Sequence, residues 1–286
     1  MTTARRIPLV AVDVGNSRVK FGLFERDEPA PQASHISLPA PSRTLVVDPR
    51  TAPFGAASFD GLEAWLADAA LPDFAQPRDF DWFIAGVQRQ VSSQLVERLR
   101  AYGVESIKLV TSGDLPLAIK VPRPDMVGID RLLGAVGANR LRDPARPAVV
   151  VQLGTAITVN LVAADGTFRG GAILPGIGMS ARALHQFTDL LPLIDMQGLA
   201  EPPPPVGDST VPAMTSGLYW GAVGAVKQLI ELLGREAGAT TANPPQVFLT
   251  GGAAPSVAEL LPGDAQLIPD LVLSAIAVVA ASEPRR

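Results

Sequence analysis

A hexapeptide near the start of the chain, Val12-Asp13-Val14-Gly15-Asn16-Ser17, reappears in altered form as Val151-Gln152-Leu153-Gly154-Thr155-Ala156. Each copy sits between two β-rich apolar runs: Leu9 to Val14 and Val19 to Phe24 around the first, Val149 to Leu153 and Ile157 to Val162 around the second. A repeated strand–turn–strand implies two related lobes facing each other. Two glycine-centred turns directed into one cleft would form a cradle for a polyphosphate, because consecutive turn N–H groups make an anion-binding concavity.

The bulk numbers agree with two lobes. A chain of 286 residues with 47% apolar content can bury a large core and is expected to hold two domains, 1–145 and 146–286, with a hinge at Asp143 to Pro147. The net charge of -4 comes with no visible basic stripe, so nucleic acid is not an expected partner. An anionic substrate must then be met by local backbone N–H groups and a few placed cations. Cysteine is absent and histidine is limited to His35 and His185, which excludes disulfides, thiolate catalysis and multi-histidine metal sites. Arg5 and Arg6 precede an apolar stretch, but Asp13 interrupts it, and the late apolar run Leu271 to Ala281 is too short to span a bilayer. The expectation is a soluble, cytoplasmic protein with no membrane partner.

Along the first lobe, Pro29, Pro31, Pro39 and Pro41 mark loop or edge strand. Helical spacing of Leu62, Trp65, Leu66 and Ala69 predicts a helix over 59–70, followed by a strand at 81–87, a helix at 92–102, a strand at 106–110 and a helix at 129–141. The second lobe reads as strand, turn, strand, the Asp165-Gly166 hairpin signal, a third strand ending near Leu174, and a helix over 179–187. Pro202 to Pro205 is expected to form a stiff polyproline connector. A long helix over 214–237 carries Gly217, Gly221 and Gly224, which suggests close packing against another backbone. A short strand, 247–250, delivers Gly251-Gly252, and an apolar helix ends the chain.

Three segments carry chemistry. In Asp13-Val14-Gly15-Asn16-Ser17-Arg18-Val19-Lys20, Gly15 lets backbone approach a phosphate, Asn16 and Ser17 add neutral donors, Lys20 adds charge, and Asp13 suits the water shell of Mg²⁺. The same pattern also describes an ordinary hairpin. The second copy offers the N–H array again with the Thr155 hydroxyl, and Gly170-Gly171, Pro175-Gly176 and Thr250-Gly251-Gly252 follow. In Gly128-Ile129-Asp130-Arg131, Asp130 falls in a first helical turn, where it suits either dipole stabilisation or activation of a substrate hydroxyl with Arg131 as a carboxylate fork. Gly176-Ile177-Gly178-Met179-Ser180-Ala181 satisfies a dinucleotide fingerprint, but no second strand with its acidic residue follows, and no Walker loop is present. His35 and His185 receive no catalytic role, and Trp65, Trp82 and Trp220 are read as core or interface.

As an ordered set, these segments resemble the type III pantothenate kinases of the acetate kinase/Hsp70/actin-like ATPase superfamily. The resemblance spans nearly the whole chain and rests on Asp13 to Lys20, Gly128 to Arg131, Gly154 to Ala156, Gly170 to Gly176, Ser209-Thr210 with Ser216-Gly217, and Thr250 to Gly252. It implies an α/β fold of two actin-like (ribonuclease H-like) lobes with a nucleotide cleft between them. The implied activity is ATP-dependent phosphorylation of pantothenate to 4'-phosphopantothenate, the first step of coenzyme A biosynthesis. By that similarity Asp13, Val14, Gly15, Asn16, Ser17, Arg18, Val19, Lys20 and Thr155 bind ATP, and Gly128, Ile129, Asp130, Arg131 and Thr210 hold the substrate. Asp130 would be the catalytic residue, Asp13 would hold Mg²⁺ through water, and the family acts as a homodimer with a monovalent cation, K⁺ or NH₄⁺.

The chain departs from the family pattern at three positions. Gln152 replaces an aspartate that binds the monovalent cation, Asn160 replaces another aspartate, and Val121 replaces a tyrosine beside pantothenate. These departures predict weakened or altered cation dependence. They also leave open a catalytically degenerate, nucleotide-binding paralogue with a regulatory role, and a kinase of another small hydroxy acid.

Overall fold

The computed structural model describes residues 7–25, 37–49, 56–69, 71, 74–196, 201–261 and 265–283. Arg5, Arg6, Pro29, Pro31 and His35, singled out above, lie outside them. In chain order the elements are β1 (Leu9–Val14), β2 (Val19–Phe24), β3 (Arg43–Val47), α1 (Ala56–Ala67), β4 (Asp81–Gly86), α2 (Arg89–Ala101), β5 (Ile107–Leu109) and α3 (Ile129–Leu141). There follow β6 (Ala148–Leu153), β7 (Ala156–Val162), β8 (Phe168–Pro175), α4 (Ile177–Phe187), α5 (Thr210–Glu236), β9 (Gln246–Thr250), α6 (Pro255–Ala258), β10 (Gln266–Leu267) and α7 (Leu271–Ser282).

The repeat read from the sequence becomes a repeated topology. One 5-stranded sheet has the order β3-β2-β1-β4-β5, and the other, read in the same sense, β8-β7-β6-β9-β10. In both, the first strand pairs antiparallel with the second and parallel with the fourth. The central strands β1 and β6 are apolar and buried at every position except the fifth, Asp13 and Gln152. A strand covered on both faces reads as a continuous apolar run, so a polar residue at one fixed position is a local exception to that rule.

The chain groups into two compact units: Met1–Pro116 with Asp125–Leu141 and Asp270–Arg286, and Leu117–Pro124 with Arg142–Pro269. This differs from the expected single cut at 145 in two segments. The last segment joins the first unit because α7 is apolar around its whole circumference and packs on β1 and α3. A methyl built on Gly137 of α3 would lie 2.5 Å from Leu271 Cδ1, so the two helices meet at a glycine. Residues 118–120 join the second unit by lying along β8, with the Lys120 N–H donating to the Phe168 carbonyl at 2.9 Å and the Phe168 N–H to the Ala118 carbonyl at 2.8 Å.

Element limits shift by a few residues, and two shifts have a clear cause. α5 begins at Thr210 rather than near Met214, because Pro212 lies in the first turn, where its missing N–H has no intrahelical partner to lose. α4 begins at Ile177 because the extended backbone of Gly176 ends β8 and starts the helix directly. β3 is an edge strand with alternating burial that the sequence reading assigns to no element. The inference that Gly217, Gly221 and Gly224 pack against another backbone is not met within the described residues. A methyl built on any of the three would touch nothing within 4 Å.

Candidate active site

In the first unit, β1 ends in a four-residue turn closed by the Gly15 N–H donating to the Arg18 carbonyl at 3.0 Å. The register sets Lys20 directly across from Asp13. The carboxyl of Asp13 is pushed up to about 7, first by burial and next by the neighbouring charge of Asp130, with Lys20 opposing. The carboxyl of Asp130 is raised as well, by burial, while the Arg131 N–H and the Arg131 charge pull the other way. That N–H donates to Asp130 Oδ1 at 2.9 Å. A methyl built on Gly128 would lie 2.5 Å from Asp130 Oδ1, so the glycine leaves the carboxylate its place. Burial lowers the affinity of the Arg131 guanidinium for its proton, and Asp130 offsets this.

The chemistry available here follows from the electrostatics. Two carboxylates share one poorly solvated corner at the C-terminal end of β1 and the first turn of α3, with Lys20 the cation that opposes Asp13's shift. Burial disfavours the charged form of both, and a nearby cation would favour it. Among the described residues no group of three or more acidic, histidine or cysteine side chains is placed to hold a metal ion. A raised carboxyl pKa also makes Asp130 a stronger base towards an alcohol than a solvated aspartate.

In the second unit, the β6–β7 turn is tighter, closed over three residues by the Gly154 N–H donating to the Ala156 carbonyl at 3.1 Å, with Thr155 half-buried. Two glycines cover its carbonyls. A methyl on Gly176 would lie 2.3 Å from the Gly154 carbonyl oxygen, and one on Gly251, at φ +106, 2.4 Å from the Leu153 oxygen. These are backbone contacts, so neither position admits a side chain. Behind the turn runs a chain of neutral groups: Asn160 Nδ2 donates to Thr158 Oγ1 at 3.0 Å, and Thr158 Oγ1 donates to Gln152 Oε1 at 2.8 Å.

Of the expected site residues, Asp13 to Lys20 and Gly128 to Arg131 lie in the first unit, while Gln152, on β6, and Thr155, in the turn after it, lie in the second. Thr210 is the exposed first residue of α5, also in the second unit. Val121 packs 3.6 Å from a methyl built on Gly170. The dinucleotide look-alike is set aside structurally too, because β8 is antiparallel to β7 and forms no βαβ unit. His185 lies on the surface with Nδ1 2.9 Å from the Leu191 carbonyl oxygen. Thr158 was missed by sequence reasoning, although it lies two residues before Asn160 on a strand and hence on the same face.

Two sheets of one topology, each with a glycine turn at the end of its central strand, define the actin-like ATPase class of folds. Solved structures of MreB5 from Spiroplasma citri bound to AMPPNP and to ADP share it, with TM-scores of 0.54 and 0.52 at 10% identity, covering 98% of this chain and 97% and 98% of theirs. The sequence model of the type III pantothenate kinases matches residues 9–232. A type III pantothenate kinase of Paramagnetospirillum magneticum is 34% identical over 88% of this chain and 88% of its own. One from Rhodospirillum rubrum is 30% identical over 95% of this chain and 97% of its own. The chain belongs to the type III pantothenate kinase family.

The Asp13 electrostatics predict a pH-dependent cost of the site. Below pH 3.8 folded and unfolded chains both hold this proton. Between 3.8 and about 7 only the folded chain keeps it, so the group's contribution to stability falls as pH rises and is fully adverse above 7. In urea unfolding without nucleotide or metal, Asp13→Asn is expected to be more stable than the wild type at pH 8, by on the order of a few kcal/mol. The gain should shrink towards pH 4.

Proposed function

We propose that the protein phosphorylates pantothenate at the expense of ATP, giving 4'-phosphopantothenate and ADP in the first step of coenzyme A biosynthesis. The observation that carries the reading is the pair of partly buried carboxylates beside a glycine turn, Asp13 and Asp130, each raised chiefly by desolvation. In this reading Asp13 to Lys20 and Thr155 bind ATP phosphates through turn N–H groups, hydroxyls and the Lys20 ammonium. Asp130 takes the proton of the pantothenate hydroxyl as its oxygen attacks the γ-phosphorus and the bond to ADP breaks. Arg131, with Gly128, Ile129 and Thr210, holds the acceptor, the guanidinium facing its carboxylate. Positioning and charge neutralisation are what phosphoryl transfer chiefly requires. Mg²⁺ held by Asp13 through water would supply the remaining neutralisation.

The monovalent cation does not fit this chain. Gln152, Thr158 and Asn160 are neutral and hydrogen-bonded to one another, so no carboxylate repays the dehydration of K⁺ or NH₄⁺. Turnover independent of K⁺ follows. A homodimer is supported by apolar surface in the second unit: Ile173, Phe187, Leu190, Val206 and Val211 are exposed, and Gly217, Gly221 and Gly224 line α5 with open space beyond them. No helix among the described residues is long and apolar enough to cross a membrane, and we place the enzyme in the cytoplasm with its substrates.

A coupled ADP-release assay with pantothenate tests the main reading. Wild type is expected to turn over, and Asp130→Asn to lose roughly 10²-fold or more in kcat, the scale of a general base. ATP binding with no turnover on pantothenate would contradict it and favour a degenerate paralogue. Adding K⁺ should leave wild-type kcat unchanged but raise that of Gln152→Asp. An equal response of both proteins would refute the cation argument. Gly221→Leu is expected to leave the fold intact and shift sedimentation from dimer to monomer, and an unaltered dimer would remove α5 from the interface.

A further inference from the structure

The carboxylate of Asp130 has an apolar neighbour that belongs to neither the phosphate turn nor the acceptor segment. Past the end of β4, the Val87 N–H donates to the Val14 carbonyl at 3.0 Å, so the parallel β1–β4 pairing continues one residue beyond both strands. Side chains alternate along a strand, which puts Val87 on the face that carries Ala85 and, across the register, Asp13. Gly128 brings the acceptor segment to the same place. A methyl built on it would meet Asp130 Oδ1 at 2.5 Å and Val87 Cγ1 at 3.6 Å, so the valine and the carboxylate border one small space. Asp13, Val87, Gly128 and Asp130 each retain accessible surface, as contact with a small molecule requires.

Val87 is suited to be a fixed wall of that space. Its backbone is pinned by the bond to Val14, and branching at Cβ restricts its side chain to few rotamers. Little conformational freedom is then left to lose when a ligand packs against it. An apolar side chain left half in water at a strand end has area still to bury, and covering it is favourable. It also keeps water from part of the Asp130 surroundings, in keeping with the burial that raises that carboxyl.

The proposed acceptor carries a matching group. The pantothenate hydroxyl that takes the phosphoryl group sits on a CH₂ joined to a carbon bearing two methyls. With its oxygen in hydrogen-bond reach of Asp130, those methyls are the nearest hydrocarbon to the carboxylate. We propose that Val87 is a specificity-determining residue, its isopropyl group packing against the paired methyls and so selecting an alcohol with a branched carbon beside the reacting CH₂. This rests on the reading of Asp130 as the base given above. It adds a second criterion to acceptor choice, hydrocarbon shape at Val87 beside carboxylate charge at Arg131.

Steady-state kinetics of the full chain test it with two acceptors, pantothenate and its analogue in which both methyls are replaced by hydrogen. Wild type is expected to favour pantothenate by roughly tenfold or more in kcat/KM, the worth of a small apolar group in a fitted site. Val87→Ala should lose most of that preference, through a fall on pantothenate with the analogue little changed, and the KM for ATP should stay near wild type. Val87→Thr keeps the branched shape but sets a hydroxyl against the methyls. It should lose preference too, and it serves if the alanine variant does not fold. Equal losses on both acceptors, as a merely structural role would give, would overturn the proposal, and so would a preference that neither substitution alters. A wild-type protein inert towards pantothenate would remove the parent reading as well, whereas an active wild type indifferent to the methyls removes only this one.

Discussion

The arrangement depends on one uncomfortable placement, a carboxylate at the fifth position of a strand buried on both faces. Asp13 is surrounded by apolar backbone neighbours in β1, with β2 and β4 on either side. Its ionised form is poorly solvated, and Asp130 adds a second negative charge to the same corner. A folded chain tolerates such a pair when the missing charge comes with the substrate. In the proposed reading, that cost is what a bound cation with its phosphates would relieve.

The duplicate sheet shows what the same position does without charge. Gln152 occupies the fifth residue of β6, and Thr158 lies opposite it in register. There the polar groups satisfy one another through Asn160, Thr158 and Gln152, so the turn ahead of them carries no unmet electrostatic demand. Its precision is instead steric. Gly176 and Gly251 press against the carbonyls of Leu153, Gly154 and Thr155, which aligns the turn by contact. One topology thus supports two kinds of turn, one tuned by charge and the other by close packing.

Much of this was legible in the sequence because strand periodicity is short and the repeat is internal. β1 and β2 begin and end where the apolar runs do, and α3 spans the expected 129–141. The affiliation of α7 was not legible, since an apolar helix says that it is buried but not against what, and Gly137 looks like any helical glycine until Leu271 is seen beside it. The glycines of α5 show the limit of propensity arguments, because they signal an exception without naming the surface that requires it.

The most direct measurement of the central claim is the proton balance of MgATP binding, by calorimetry at pH 7 in buffers of differing ionisation enthalpy. If the Asp13 carboxyl sits at about 7 in the free protein and is ionised in the complex, about half a proton should leave per site, and Asp13→Asn should release none. Binding without proton release, or with the same release in wild type and variant, would contradict the account.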